Sequence, residues 1–242
     1  MEQTFYKARN TLIEMMKDRE YQHPDGLDSF NMQIEEFKEL FKNSNSINKY
    51  GTRPVDLDMT GITTRDGVPV YVRVLNAEIK DAKTFKIFDT NKAERSDFIP
   101  VAMYYNNEVL DEKDLNEFLE KVHVIIVYQA PLKRDQRYDI TLETTFIEHP
   151  NVEAFPVHKL TFNVTKHMYV SKHRLLSESE RETVYEKFNA SKQMFTKICL
   201  DDPVNMYYNG RPGDMYEITP KQAAGRRLTY RVVVNRPLPR KK

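Results

Sequence analysis

Cysteine and glycine are scarce in this chain, and long apolar runs are absent. The single cysteine, Cys199, excludes an intramolecular disulfide and any zinc site built from several cysteines. Seven glycines leave no Gly-rich loop for phosphate binding. No segment approaches the roughly 18 apolar residues that a membrane-spanning helix needs, and residues 1–10 lack the apolar core of a signal peptide. We therefore expect a soluble intracellular protein with no membrane partner.

An excess of charge of either sign is also missing. The 242 residues carry 37 Lys and Arg against 36 Asp and Glu, a net charge of +1. This balance argues against a protein that coats nucleic acid by charge alone, although it leaves room for a local basic face. The 11% of aromatic residues and the 10 methionines supply enough apolar volume for one or two folded domains.

Helical spacing of apolar residues predicts two helices at the N-terminus. The first stripe consists of Phe5, Ala8, Leu12 and Met15. After a break at residues 23–26, the second stripe consists of Phe30, Ile34, Phe37 and Phe41. We expect Asp28 or Ser29 to cap this second helix.

Strand patterns follow in the middle of the chain. Residues 60–64 and 68–75 flank the turn sequence Arg65-Asp66-Gly67, which predicts a β-hairpin. A short strand is predicted at 84–88 and a helix at 111–121. Residues 123–128 are almost continuously apolar, as in a strand covered on both faces. This half therefore predicts a mixed α/β sheet.

The last third has its own start and stop signals. Ser177 and Glu180 form a capping box that opens a helix through Phe188. Asp202 caps a second helix with Pro203 at its first position, and 209–210 end it. A turn at 211–214 and strands at 215–219 and 228–234 follow. The predicted fold class is α/β (α+β), with an N-terminal mixed-sheet domain over 1–158 and a small α/β domain over 159–242.

Several of these pieces, taken in order and spacing, resemble one known family. They are residues 163–167, 170–173, the Ser177 capping box, and residues 202–204, 210–214, 224–226 and 228–233. The family is the fifth subunit shared by nuclear RNA polymerases I, II and III, together with its archaeal counterpart. At the N-terminus, Arg9, Asp18-Arg19, Tyr21 and residues 35–38 also match its eukaryotic form.

The chain departs from the cellular members of that family in three places. Ala223 stands where the family commonly has threonine, and the segment 89–114 is longer. Gly-Arg-Pro-Gly-Asp at 210–214 resembles subunits encoded by large DNA viruses. The resemblance thus implies a viral polymerase acting in the host cytoplasm or virion, or else a cellular one in the nucleus.

The resemblance implies a non-catalytic subunit without a cofactor. Its C-terminal assembly domain would dock on the largest polymerase subunit, near the small sixth subunit. Its N-terminal jaw domain would lie beside downstream duplex DNA, with transcription factors as a further class of partner. The expected docking residues are His167, His173, Asp202, Pro203, Arg211, Gly213, Asp214, Arg226, Tyr230 and Arg231.

Arginine suits such an interface because its planar guanidinium pairs with carboxylates; the alternative for these arginines is a merely solvated basic face. His167 and His173 lack a carboxylate at ligand spacing, so we expect core or interface histidines and no metal site.

The resemblance also assigns the turn after the buried strand to the DNA. The candidate residues there are Gln129, Pro131, Lys133 and Arg134. Pro131 stiffens the turn, and the two cations could contact phosphates without reading bases. Net charge is too low for tight binding by the free chain, so weak, non-specific DNA affinity is expected. The competing interpretation is a solvated basic turn.

Two other function classes stay open on sequence alone. Pro54 and Asp56, followed by Glu78 and Lys80, resemble the signature of Mg²⁺-dependent nucleases, in which two carboxylates hold the metal and the lysine stabilises developing charge. Surface charges after a strand end explain the same residues more simply. A transcription-factor adaptor that uses the helix 111–121 is the third interpretation.

Overall fold

The computed structural model describes residues 2–43, 59–78, 120–129, 151–221 and 228–235. The chain forms two compact units, Met1–Phe162 and Asn163–Lys242. Each unit contains helices and a four-stranded mixed sheet, which confirms the α/β class. Among the described residues, no helix has the length and apolar character needed to cross a bilayer.

Two helices open the first unit. Helix α1, Glu2–Asp18, buries the predicted stripe of Phe5, Ala8, Leu12 and Met15. Helix α2, Ile34–Asn43, packs Phe37 and Phe41 against helix α1. The ring centroids of Phe5 and Phe41 lie 5.5 Å apart. Burying rings of this size stabilises the packing by about 1.5–3 kcal/mol each.

The predicted start of the second helix is wrong. Leu27–Phe30 forms a separate 3₁₀ helix, and α2 begins only at Ile34. The Asp28 carboxylate pairs with Lys17 and accepts from Asn31 Nδ2, and the Ser29 hydroxyl donates to the Gly26 carbonyl. Both side chains are therefore engaged locally and cannot cap α2.

The sheet of the first unit has the order β1-β2-β3-β4. Strands β1, Met59–Thr63, and β2, Pro69–Glu78, form the predicted antiparallel hairpin, with Gly67 at φ 81° in its turn. Strand β3, His123–Gln129, pairs in parallel with β2 and with β4, Val152–Pro156. Its inner position explains why 123–127 are all buried, as the apolar run predicted.

A 3₁₀ turn completes this unit. Val157–Leu160 packs on α1 and buries Val157 and Leu160. The first unit consequently extends past residue 158, where the sequence suggested the boundary.

The second unit has the sheet order β5-β7-β8-β6. Its strands are β5, Lys172–Leu175, β6, Thr196–Cys199, β7, Met215–Thr219, and β8, Thr229–Val234. Strand β7 is antiparallel to both β5 and β8, whereas β6 is parallel to β8. Helices α3, Glu178–Phe188, and α4, Pro203–Tyr208, carry the predicted Ser177 capping box and the Asp202 cap.

Some elements of the structure have no counterpart among the sequence predictions, and some predicted elements lie outside the described residues. Strands β4, β5 and β6 were not predicted. The strand expected at 84–88 and most of the helix expected at 111–121 lie outside the described residues, although Glu120 and Lys121 are helical.

Candidate docking surface

The C-terminal sheet has two faces, one packed against α3 and the other against α4. Since side chains alternate along a strand, neighbours in sequence lie on opposite faces. The face under α3 buries Leu176, Val184, Met215 and Val232. The face under α4 buries Ile198, Tyr216, Ile218 and Val233.

Helix α4 is fixed at its start by its predicted cap. Asp202 Oδ1 accepts from the Val204 backbone N–H at 2.9 Å, and Pro203 occupies the first helical position, where no N–H is needed. Asn209 ends the helix in a left-handed conformation, at φ 56°. These contacts set the Asp202 carboxylate at one end of the α4 face.

A buried polar network links α4 to the residues before and after it. Asn205 is 1% exposed and donates through Nδ2 to the carbonyls of Leu200 and Gly210, at 3.0 and 3.1 Å. Its Oδ1 accepts from the Tyr216 hydroxyl at 3.0 Å. Sequence reasoning missed Asn205, because an asparagine in a short helix gives no periodic signal; Tyr216, expected to serve either core or interface, lies in the core.

Three of the expected docking residues come together on the α4 face. His173 is half-buried; its Nδ1–H donates to the Ser171 carbonyl at 2.8 Å, and its ring meets that of Tyr216 edge-on at 5.8 Å. Burial and the positive charge of Arg231 lower the pKa of His173, while the Ser171 bond and Asp202 act in the opposite direction. Arg231 and Asp202 therefore lie within electrostatic reach of this imidazole, and Arg231 is solvent-exposed.

The predicted turn at 211–214 is largely self-contained. Gly213 takes φ 103°, as expected. Asp214 Oδ2 accepts from the Arg211 backbone N–H at 2.7 Å, and Asp214 Oδ1 accepts from Arg181 Nη1 at 3.0 Å. Both carboxylate oxygens thus stabilise the turn, and a docking role for Arg211, Gly213 and Asp214 stays a prediction.

Tyr230 lies on the face opposite to Arg231. It packs edge-to-face with Phe188 and Phe195, at 5.7 and 6.3 Å between ring centroids. The expected docking residues are consequently divided between the two faces. Alternation along the predicted strand 228–234 already separates these two sequence neighbours, but only the pairing with β7 shows which face each one takes.

His167 lies in an exposed segment before β5. Its backbone carbonyl accepts from Lys221 Nζ at 2.7 Å, and its Nδ1 accepts from the Tyr169 N–H at 3.3 Å. No group of three or more potential metal ligands occurs among the described residues.

The other candidates are less fully placed. Gln129 ends β3, and Glu78 ends β2 after a shift of register beyond Leu75. The remaining candidates, Pro54, Asp56, Lys80, Pro131, Lys133, Arg134 and Arg226, lie outside the described residues. No described geometry supports the nuclease interpretation.

Comparison with known proteins defines the class of this chain. The family described as "RNA polymerase Rpb5, C-terminal domain" matches residues 162–233. Subunit Rpo5 of Pyrococcus abyssi RNA polymerase is 39% identical over 77 residues, which cover 94% of that protein and 31% of this chain. The matched domain is that of a subunit of a multisubunit DNA-directed RNA polymerase.

More distant relatives extend the match beyond that domain. "DNA-directed RNA polymerases IV and V subunit 5B" of Arabidopsis thaliana is 24% identical over 237 residues, covering 95% of this chain and 89% of the relative. "DNA-directed RNA polymerase subunit 5" of Acanthamoeba polyphaga mimivirus is 27% identical over 147 residues, 59% of this chain and 69% of the relative. The chain belongs to the RNA polymerase subunit 5 family, known as Rpb5 and Rpo5.

Proposed function

We propose that this chain is a non-catalytic polymerase subunit whose C-terminal unit docks on the largest subunit, near the small sixth subunit. The observation that supports this most directly is the position of the exposed Arg231 and the half-buried His173 on the α4 face, with Asp202 within electrostatic range of His173. The Arg231 guanidinium can pair with a carboxylate of a partner, and the Asp202 carboxylate can accept hydrogen bonds from one. His167, Pro203, Arg211 and Arg226 extend the proposed surface.

The second part of the proposal concerns DNA. The first unit acts as a jaw beside downstream duplex DNA, and the turn after β3 brings Pro131, Lys133 and Arg134 to the phosphates. The parallel pairing of β3 with a strand on each side supports this, because it fixes Gln129, the candidate residue of this segment that the structure describes. Affinity is weak and non-specific, since about two phosphate contacts contribute little without the rest of the polymerase.

The place of action follows from the polymerase that holds the chain. The viral relative and the Gly-Arg-Pro-Gly-Asp turn favour a virus-encoded enzyme, in the host cytoplasm or virion. A cellular enzyme would place the chain in the nucleus. Transcription factors remain a further proposed class of partner.

The docking proposal is tested by co-purification of the tagged full chain with the two largest polymerase subunits. We expect Arg231→Glu to lower the recovered complex about tenfold or more, as for a charged anchor at an interface. Lys172→Glu is the matched control, because Lys172 is exposed on β5 and, by alternation from His173, lies on the other face. Equal recovery for both variants would remove the α4 face from the proposal.

The DNA proposal needs the assembled enzyme. We expect Lys133→Ala with Arg134→Ala to reduce the slope of log affinity against log salt by about two units. An unchanged slope would leave the basic turn as a solvated loop.

A further inference from the structure

An open aromatic groove lies on the α3 face of the C-terminal sheet, opposite the His173 group. It has a volume of about 550 Å³ and lies at the C-terminal end of α3, where β6 and β8 begin. The side chains that matter for its chemistry are Lys187, Phe188, Met194, Phe195, Leu228 and Tyr230. Three of them expose large apolar surface: Met194 at 73%, Phe188 at 47% and Leu228 at 43%. Exposed apolar side chains that line one groove can be buried by a ligand that enters it.

Three aromatic rings in contact with one another form the floor of the groove. Phe188 meets Phe195 at 6.2 Å with an interplanar angle of 88°, and Tyr230 meets Phe188 and Phe195 at 64° and 85°. Edge-to-face contacts fix each ring by the other two. A ligand therefore finds a formed apolar floor, while the unbranched Met194 at the margin can adapt to its shape.

The charge around this floor is positive. Lys187 Nζ lies 5.9 Å from the Phe188 ring centroid, and Lys197 shares the α3 face through its pairing with Val232 on β8. Neither lysine forms an ion pair within the described part of the chain. The nearby Glu217 is instead paired with Arg174 Nη2 at 3.2 Å. That guanidinium also pairs with Glu180. The described surroundings of the groove thus leave the two lysine cations available to a ligand.

We propose that this groove binds a short acidic peptide segment of a partner protein, one that carries leucine or phenylalanine side chains between its carboxylates. The apolar side chains would enter between Met194, Phe188 and Leu228, and the carboxylates would face Lys187 and Lys197. Tyr230 is one of the expected docking residues, but Met194 and Lys187 are not, and the groove lies on the face opposite to Arg231. The inference therefore goes beyond the docking proposal.

Single-stranded nucleic acid is the competing occupant, since lysines and aromatic rings also serve as stacking platforms. Base stacking needs an open ring face, however. The edge-to-face arrangement directs the ring edges and faces of Phe188, Phe195 and Tyr230 toward one another, and Lys187 lies near Phe188. The geometry therefore favours a peptide with aliphatic or aromatic side chains.

The test is fluorescence anisotropy of the full chain with a labelled peptide in which Asp alternates with Leu and Phe. We expect Met194→Asp to weaken binding about tenfold. Met168→Asp is the matched control and should bind as the unaltered chain does, because Met168 is 71% exposed in the same unit and does not line the groove. Lys187→Glu should weaken the binding of the acidic peptide and strengthen the binding of a peptide with Lys in place of Asp.

Several results would overturn the inference. One is equal binding of a peptide with Ser in place of Leu and Phe, and another is an equal loss in Met194→Asp and Met168→Asp. Displacement of the peptide by a single-stranded oligonucleotide would identify the other occupant. Self-association of the chain that Met194→Asp abolishes would assign the groove to a second copy. Loss of polymerase assembly in Met194→Asp would make the groove part of the docking surface, whereas Arg231→Glu tests that surface separately.

Discussion

Arg19 and Glu153 form a buried, two-pronged ion pair although 134 residues separate them in sequence. Arg19 Nη1 and Nη2 lie 2.7 and 2.9 Å from Glu153 Oε1 and Oε2, and both side chains are 3% exposed. His123 Nε2 lies 2.6 Å from the same Oε1, and Arg19 Nη1 donates to the Tyr21 hydroxyl at 3.3 Å. These side chains join Arg19, the residue after α1, to strands β3 and β4 within the unit that we propose as the jaw.

Glu153→Gln should lower the free energy of unfolding by about 3–5 kcal/mol, because it leaves the Arg19 charge buried without its counter-ion. The measurement is urea unfolding of the full chain followed by circular dichroism. Arg65→Gln is the control: its pair with Glu20 has side chains 75% and 67% exposed, so the midpoint should not move. A similar loss of unfolding free energy in Glu153→Gln and Arg65→Gln would contradict the expectation that the buried ion pair matters more than the exposed one.

The same pair predicts the response to acid. Burial raises the pKa of Glu153, but the charge of Arg19 and the hydrogen bond with His123 outweigh burial and lower the pKa to about 2, from 4.5. A carboxyl group whose pKa is lower in the folded state than in the unfolded state contributes its full stabilisation above the unfolded-state pKa. That contribution is lost as the pH falls toward the folded-state pKa. We expect the urea concentration at the unfolding midpoint to decrease as the pH is lowered from about 4.5 to about 2. The decrease should be smaller in Glu153→Gln. Parallel pH curves for both proteins would refute the assignment.

His173 gives a test of the α4 face that needs no partner. Burial and Arg231 lower its pKa below 6.5, and Asp202 opposes them. An NMR titration of the full chain should therefore show a higher midpoint in Arg231→Gln and a lower one in Asp202→Asn, because asparagine removes the charge while keeping the cap. If neither substitution moves the midpoint, the three groups are not electrostatically coupled.

Gly210 has no room for a side chain. A Cβ there would clash with Asn205 Oδ1 and would lie 2.5 Å from the Tyr216 hydroxyl, both in the buried network. Gly210→Ala should cost about 1–3 kcal/mol of unfolding free energy, since the network must shift. In the Gly210→Ala background, Tyr216→Phe should cost less than it does alone, because it removes one of the two clashing atoms. Additive losses in the double variant would argue against this clash.

Local sequence signals accounted for many of the elements. The α1 stripe, the Gly67 hairpin, the Ser177 capping box and the Asp202–Pro203 start all depend on residues within a few positions of one another. The resemblance of the final third to polymerase subunit 5 was equally visible, because its pieces keep their order along the chain. Such features are encoded by neighbours and need no tertiary contact to be recognised.

Other features required the folded chain. Strand β6 is only four residues long and acquires its place by parallel pairing with β8, which begins some thirty residues later. Alternation puts the neighbours Tyr230 and Arg231 on opposite faces of β8, and the pairing with β7 decides that Tyr230 faces the aromatic groove and Arg231 the His173 side. The Arg19–Glu153 pair likewise exists only after β3 and β4 align. Sequence determined the local elements through short-range sterics and hydrogen bonding, whereas long-range pairing decided which charges and rings share a face.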